Sequence, residues 1–150
     1  MEGASQYGEI KILHANANAM GDFPAERFDT VLCNSTLEHD RFFWKTLTEI
    51  RRVTRPGGLI VLGAPGYGRP GAEKWGKRVA RNIPLVGRTS ERRFEFLFAS
   101  TLTLHVHNFP GDYYRFSAQT FREVFFEGMN DVEVFLVLLP PRIIGAARKP

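Results

Sequence analysis

Cysteine is almost absent from this sequence, which limits both cross-linking and cellular compartment. Cys33 is the only cysteine among the 150 residues, so no internal disulfide can form. No N-terminal stretch pairs a basic region with an apolar core as a secretory signal does. Both features predict a cytoplasmic protein.

Long apolar runs are also missing. None approaches the roughly 20 residues that a membrane-spanning helix needs, so no transmembrane segment is predicted. A hydrophobic content of 43% with 13 phenylalanines nevertheless excludes a disordered chain. A chain of this length predicts one domain with a buried core.

Positive charge is concentrated in one segment. Eight basic and two acidic residues lie between Arg69 and Arg93, whereas the whole chain carries a net charge of +4. The segment predicts either a solvated surface or attraction to an anionic partner, such as a phosphorylated substrate, an acidic membrane or nucleic acid. Nucleic acid is the less favoured partner, because no stacking-aromatic RNA motif accompanies the charge.

The clearest local pattern is a strand, a helix and a second strand between Phe28 and Pro65. The apolar runs at 28–33 and 59–62 are typical of strands buried on both faces. Gly57 and Gly58 allow a tight reversal into the second strand. The pattern predicts a βαβ unit, whose two strands are parallel.

The helix of this unit has a defined beginning, face and end. Asp40 can cap its N-terminus, and Pro56 ends it, because the residue before a proline is disfavoured in the α region. Phe43, Leu47 and Ile50 recur on one apolar face. The opposite face carries Lys45, Glu49 and Arg52.

The C-terminal residues predict a helix followed by two strands. Ser117 is a good N-cap, and Gly128 can end the helix in the left-handed conformation. The runs at 132–139 and 142–149 predict an antiparallel pair of strands that closes the sheet. The predicted apolar face of the helix comprises Phe121, Val124 and Phe125.

Elsewhere the patterns are shorter. Ile10 to Leu13 predicts a short strand, whereas residues 1–8 predict no structure. Between 94 and 106, helical and strand patterns compete, and both remain open.

The βαβ residues resemble class I S-adenosylmethionine-dependent methyltransferases. Phe28-Asp29 opens the first strand, Leu37-Glu38-His39 follows it, and Pro56-Gly57-Gly58 precedes the second, as at strands four and five of small-molecule members. The resemblance implies an α/β, Rossmann-like fold with sheet order 3-2-1-4-5-7-6 and S-adenosyl-L-methionine as cofactor. Ile10 to Leu13 would then be strand three.

The resemblance covers Ile10 to Pro150 and departs from the family upstream. The glycine-rich turn after strand one and the acidic residue ending strand two, which hold the family's cofactor, have no counterpart. We therefore expect 1–150 to be an N-terminally truncated methyltransferase domain, with 66–116 as the variable insertion that covers the substrate. Strand four would present an apolar edge, which invites pairing with a second chain or with the missing N-terminal half.

The resemblance also implies cofactor contacts. Asn16 and Ala17 stand where the family has an Asp-Ala pair facing adenine, and an amide oxygen can accept the same hydrogen bond. The alternative for Asn16 is a loop-forming role. The residues expected along the methionine and ribose of the cofactor are Asn34, Ser35, Thr36 and Leu37.

Candidate catalytic and acceptor-binding residues follow. An imidazole titrates near neutral pH, so His39 could take a proton from a hydroxyl or amine as the methyl group arrives. The alternative is that Glu38 and His39 shape the loop and cap the next helix. The stretch before the last helix is similar to that of methyltransferases acting on sugars or lipid-linked substrates. The residues expected to bind substrate are Glu38, Asp112, Tyr114 and Arg115, although Asp112 and Arg115 could instead pair with each other.

Other chemistry is less well supported. His105 and His107 lack a third imidazole at a recognised spacing, so no metal site is predicted, and Cys33 is expected in the core. The leading function is methyl transfer to an oxygen or nitrogen of a small molecule, such as a sugar or lipid intermediate. The alternatives are a non-catalytic remnant or partner subunit of a methyltransferase, and an anion- or nucleic-acid-binding module at 69–93.

Overall fold

A computed structural model describes residues 4–68, 102–103, 105–106, 111–138 and 141–150. The basic segment 69–93, His107 and most of the predicted insertion lie outside the described residues. The described elements are, in chain order, β1 (Ala4–Tyr7), β2 (Ile10–Leu13), β3 (Phe28–Asn34), a 3₁₀ turn (Leu37–His39), α1 (Phe43–Val53), β4 (Thr54–Pro65), β5 (Tyr67–Gly68), β6 (Leu102–Thr103), α2 (α-helical at Ala118–Thr120 and π-helical at Phe121–Phe125), β7 (Asn130–Leu138) and β8 (Pro141–Arg148).

The main sheet has the strand order β3-β4-β8-β7. β3 and β4 are parallel, whereas β8 is antiparallel to both β4 and β7. The predicted parallel pair with an antiparallel C-terminal end is therefore confirmed. This order matches the 4-5-7-6 half of the sheet that the family resemblance implied.

β2 lies outside this sheet, in a separate hairpin with β1. Its assignment as strand three of the main sheet is therefore not what the structure shows, and residues 4–7 form a strand that the sequence did not indicate. The turn between the two strands places Gly8 at a φ of +59°, a conformation that glycine adopts without steric cost. A neighbouring segment of the chain thus pairs with one edge of β2.

The predicted helix is confirmed as α1, which buries Leu47 and Ile50. It ends at Val53, three residues before Pro56, so the expected end was late. Thr54 is already extended and pairs with Phe28 of β3, and the register then shifts before Thr30 pairs with Leu59.

α2 contains a π-helical turn that changes which residues face the core. The N–H of Phe126 donates to the carbonyl oxygen of Phe121, five residues back, at 2.9 Å. Phe121, Phe125 and Phe126 are consequently buried, whereas Val124 is 53% exposed, so its assignment to the apolar face was wrong. The rings pack against Gly145, where a Cβ would lie 2.4 Å from Phe126 Cε2.

The opposite face of the sheet and the edge at β3 are open. β3 pairs only with β4 in the part of the chain that the structure describes. Leu32 is 71% exposed, so the prediction that this strand is buried on both faces was wrong. An apolar strand with an unpaired edge is a template for association with another strand.

We expect the chain to self-associate through this edge. Leu32→Lys should weaken association by at least about tenfold, because a charged side chain on an edge strand opposes pairing. Sedimentation velocity over a concentration series measures the effect. Val124→Lys, at an exposed site on α2, is the matched control, and a monomeric wild-type chain at every concentration would contradict the prediction.

Candidate functional site

Polar side chains follow the carboxyl end of β3, beside the end of β4. Parallel strands end at the same edge of a sheet, where ligands of open α/β folds bind. The chain turns sharply here: Ser35 has a φ of +52°, and its N–H donates to the carbonyl oxygen of Gly63 at 2.9 Å. The left-handed Ser35 ends β3 and starts the loop that carries Glu38 and His39.

Arg142 fixes this loop from the far side of β4. Its Nη2 donates to Asn34 Oδ1 at 2.9 Å and to Ser35 Oγ at 2.6 Å. The Asn34 amide lies over Gly63, where a Cβ would be 2.4 Å from Oδ1. Sequence reasoning missed Arg142, because only the pairing of β8 with β4 brings a residue 107 positions away to this loop.

An open groove of about 480 Å³ runs beside β3. Three of the predicted cofactor-binding residues line it, namely Ala17, Asn34 and Thr36. Leu37 does not, because the 3₁₀ turn directs its side chain into the hydrophobic core, where it is fully buried. The remaining lining residues are Met20, Val31, Leu32, Cys33, Thr46 and Ile50.

Asn16 lines a neighbouring groove of about 450 Å³ rather than this one. Its Oδ1 accepts from the N–H of Asn18 at 2.9 Å, and its carbonyl oxygen accepts from the N–H of Ala19 at 2.9 Å. These bonds give Asn16 the loop-forming role that was the alternative. Its contact with adenine remains a prediction.

The loop that carries Ala17 is held against α1 through its main chain. Met20 N–H donates to Glu49 Oε2 at 2.7 Å, and Arg52 donates to the carbonyl oxygens of Met20 and Phe23 at 2.8 and 2.9 Å. Glu49 and Arg52 also pair with each other at 2.9 Å. The hydrogen bonds from Arg52 lower the pKa of Glu49, and those to Glu49 raise the pKa of Arg52.

Asp40 supports the same loop, which is a different role from the predicted cap of α1. Its Oδ1 accepts from Phe42 N–H at 2.8 Å, but α1 begins at Phe43 without a side-chain cap. Its Oδ2 accepts from Asn18 Nδ2 at 2.9 Å and from Thr46 Oγ1 at 2.6 Å. Asp40 therefore links the start of α1 to the loop.

Glu38 and His39 lie beneath the segment 111–114. The His39 ring bonds through Nδ1 to the carbonyl oxygen of Gly111, and the Glu38 carbonyl oxygen accepts from Tyr113 N–H at 2.8 Å. Glu38 is buried, and its Oε2 has no hydrogen-bond partner among the described residues. Its Oε1 lies 3.9 Å from His39 Nε2. An unsatisfied buried carboxylate oxygen is costly, so Glu38 Oε2 is a candidate for contact with a ligand.

Asp112 and Arg115 form a buried ion pair beside this segment. Arg115 Nη2 donates to Asp112 Oδ2 at 2.7 Å, and Nη1 bonds to Oδ1. The hydrogen bonds to Asp112 raise the pKa of Arg115. The structure thus shows the pairing that was the alternative to substrate binding. The Tyr114 hydroxyl donates to the Arg41 carbonyl oxygen at 3.1 Å, so it also holds the loop.

Cys33 is not a candidate for nucleophilic chemistry. Burial raises the pKa of the Cys33 thiol, which disfavours the reactive thiolate. Within the described ranges, no group of three or more His, Cys, Asp or Glu side chains could hold a metal ion. No helix in those ranges is long and apolar enough to cross a membrane.

Comparison with known proteins identifies this architecture. Residues 2–62 match a family model described as a methyltransferase domain. No curated protein matches the chain. One similar solved structure is phosphoethanolamine N-methyltransferase 2 of Haemonchus contortus with S-adenosyl-L-methionine, with a TM-score of 0.50, 17% identity, and coverage of 85% of this chain and 34% of that one. A second is the CurJ carbon methyltransferase, with a TM-score of 0.53, 15% identity, and coverage of 89% of this chain and 33% of that one. A third is the [4+2]-cyclase SpnF, with a TM-score of 0.52, 14% identity, and coverage of 91% of this chain and 55% of that one.

These matches establish the fold. The family match ends at Leu62 in β4, and the structural matches extend over most of the chain. The Rossmann-like fold expected from the sequence is therefore confirmed. The chain spans about one third of the length of the Haemonchus and CurJ structures.

We expect the Glu49–Arg52 anchor to give the loop a pH-dependent stability. Glu49→Gln should lower the unfolding temperature by a few degrees at pH 7, because Glu49 has a lowered pKa in the folded state. That contribution is complete above the ordinary glutamate pKa of about 4.3 and is lost as pH falls through the lower folded-state value.

The difference in melting temperature between wild type and variant should therefore shrink below about pH 4, as measured by circular dichroism. Glu123→Gln is the control, because Glu123 accepts an exposed bond from Gln119 on α2, away from the loop. An equal difference at pH 7 and at acidic pH would contradict the assignment.

Proposed function

We propose that this chain, which has the fold of a class I methyltransferase domain, takes part in methyl transfer from S-adenosyl-L-methionine to a nitrogen or oxygen of a small molecule. The observation that carries the proposal is the pair Glu38 and His39. A buried carboxylate oxygen without a hydrogen-bond partner among the described residues and an oriented imidazole lie together after β3, two and three positions beyond Thr36, which lines the groove.

The groove fits part of the cofactor. Its volume suits a small organic ligand, and its apolar walls, with Asn34 and Thr36 as polar groups, suit an adenine ring and an aliphatic chain. No carboxylate is among its lining residues to bind ribose hydroxyls. We therefore expect weak cofactor binding by this chain alone, with further contacts supplied by another part of a longer protein or by a partner.

His39 is oriented for proton transfer. The carbonyl oxygen of Gly111 can only accept, so the neutral ring carries its proton on Nδ1 and its basic lone pair on Nε2. Glu38 Oε1, 3.9 Å from Nε2, stabilises the imidazolium that forms when Nε2 takes a proton. When bound, S-adenosyl-L-methionine supplies a methyl group that is activated by its positive sulfur.

The acceptor class follows from Glu38. Its Oε2 would be satisfied by an N–H or O–H donor, so an amine or hydroxyl fits better than a carbon nucleophile. As the acceptor gains the methyl group, its N–H or O–H proton passes to His39. The Haemonchus relative is named for N-methylation of phosphoethanolamine, which is an acceptor of this class.

Photolabelling tests the cofactor site directly. Irradiation with methyl-labelled S-adenosylmethionine should label peptides that contain Ala17 or Asn34, and S-adenosylhomocysteine should displace the label. Ala17→Trp should abolish it by filling the groove, whereas Ala25→Trp, in an exposed turn, should not. Label that resists displacement or lies elsewhere would overturn the assignment.

His39→Ala tests the base. General base catalysis typically contributes 10²- to 10⁴-fold, so the single-turnover rate should fall by about that factor while photolabelling at Ala17 and Asn34 persists. Tyr114→Phe, which removes a loop hydrogen bond near the site, is the control for local disturbance. A loss below about tenfold would assign His39 to loop shaping only.

A non-catalytic partner subunit is the second candidate. The open edge at β3 and the absence of a ribose-binding carboxylate in the groove favour it. The resemblance to a [4+2]-cyclase also shows that this fold is compatible with other chemistry. Photolabelling without methyl transfer, after a partner has been added, would support this candidate.

A further inference from the structure

A surface beside the candidate site combines exposed aromatic rings with positive charge. Phe42 and Trp44 are 48% and 50% exposed, and Tyr113 is 51% exposed. Arg41 and Lys45 flank them and are also exposed. We call these five residues the aromatic–basic patch.

The patch is continuous. Lys45 Nζ lies 5.1 Å from the Phe42 ring centre, and the Phe42 and Trp44 rings are 5.7 Å apart. The Arg41 guanidinium lies 5.8 Å from the Tyr113 ring. Phe43 and Tyr114 lie between the Phe42–Trp44 pair and Tyr113. The Phe43 ring centre lies 5.5 Å from that of Trp44, and the Tyr114 ring centre lies 6.3 Å from that of Tyr113. The five exposed side chains therefore form one connected surface.

Among the described residues, the two cations of the patch have no ion-pair partner. Within the described part of the chain, no carboxylate lies within ion-pair distance of Arg41 or Lys45, whereas Arg52 and Arg115 are both paired. Their positions over aromatic rings keep the charge at the surface. The patch therefore presents apolar ring surface and positive charge in the same direction, and a suitable partner is apolar and negatively charged.

We propose that the aromatic–basic patch docks on the surface of a membrane that contains anionic lipids. Tryptophan and tyrosine prefer the interface between headgroups and acyl chains, where one end of the side chain is apolar and the other is wet. Each basic residue near such a surface is attracted to anionic headgroups. No membrane-spanning helix is required for attachment of this kind.

The patch is physically connected to the site. Tyr113 N–H donates to the Glu38 carbonyl oxygen, and the Tyr114 hydroxyl donates to the Arg41 carbonyl oxygen. Docking through the patch therefore brings Glu38 and His39 to the bilayer surface. Attachment itself requires neither cofactor nor methyl transfer, so it is tested separately from the proposed function.

Vesicle flotation and Trp44 fluorescence test the proposal on the 150-residue chain. The sequence has two tryptophans, so Trp75→Phe leaves Trp44 as the sole reporter. With vesicles of phosphatidylcholine and phosphatidylserine, Trp44 emission should shift to the blue and be quenched by brominated acyl chains. Vesicles of phosphatidylcholine alone should give neither effect. Flotation distinguishes vesicle-bound chain from aggregate, which does not rise.

Variants then assign the contact. Phe42→Ser with Trp44→Ser should lower vesicle affinity at least about tenfold, and Arg41→Gln and Lys45→Gln about fivefold each, since one basic residue contributes about 1 kcal/mol at an anionic surface. Arg122→Gln should have no effect. It lies on α2, which contacts the opposite end of α1 through bonds from Arg51 to Val124 and Phe125. Circular dichroism checks that each variant is folded. If the double aromatic variant unfolds, the two single charge variants provide the test instead.

Three results would overturn the proposal. Wild-type chain that fails to float with anionic vesicles would exclude membrane docking. Flotation that survives the charge and aromatic variants would assign binding to another segment, such as 69–93. A blue shift of Trp44 that grows with protein concentration in the absence of vesicles would assign the patch to a second copy of the chain.

Discussion

The structure depends on the pairing of β4 on both of its sides. Its parallel partner β3 ends and its antiparallel partner β8 begins beside the carboxyl end of β4, so segments far apart in the chain meet there. Phe116 N–H donates to the Pro65 carbonyl oxygen, and Gly66 N–H donates to that of Pro141. The loop after β3, through Ser35, and the segment before α2, through Phe116, are therefore positioned by hydrogen bonds to one central strand.

Local patterns predicted the elements well because their physical causes are local. The apolar periodicity of α1 and the β-branched runs of β4 and β7 depend on neighbouring residues only. The Ser117 cap is equally local, because its side chain accepts from the N–H of Thr120, three residues on. Val124 was misplaced because a π turn rotates every later side chain, and no residue type marks such a turn. Arg142 could not be found because its contact depends on a strand register.

The site was partly predictable for the same reason. Asn34, Thr36 and His39 follow an obvious strand, so their position at the sheet edge came from topology alone. Leu37 was expected along the cofactor, but it opens a 3₁₀ turn that directs its side chain into the core, whereas Thr36, just before the turn, lines the groove. Asn16 makes a local bond with Asn18, in the loop-forming role that the sequence offered as the alternative, whereas the bond from Asn18 to Asp40, 22 positions away, is visible only in three dimensions.

The anchoring of the Ala17 loop has an evolutionary consequence. Glu49 and Arg52 hold that loop through the N–H of Met20 and the carbonyl oxygens of Met20 and Phe23. Every residue type has the carbonyl oxygen, and every type except proline has the N–H. Substitutions along the loop can therefore change the lining of the groove while the path of its backbone is retained. Ligand preference at this edge of the sheet can diverge rapidly among descendants of the chain, whereas changes to the two charged residues of α1 would be selected against.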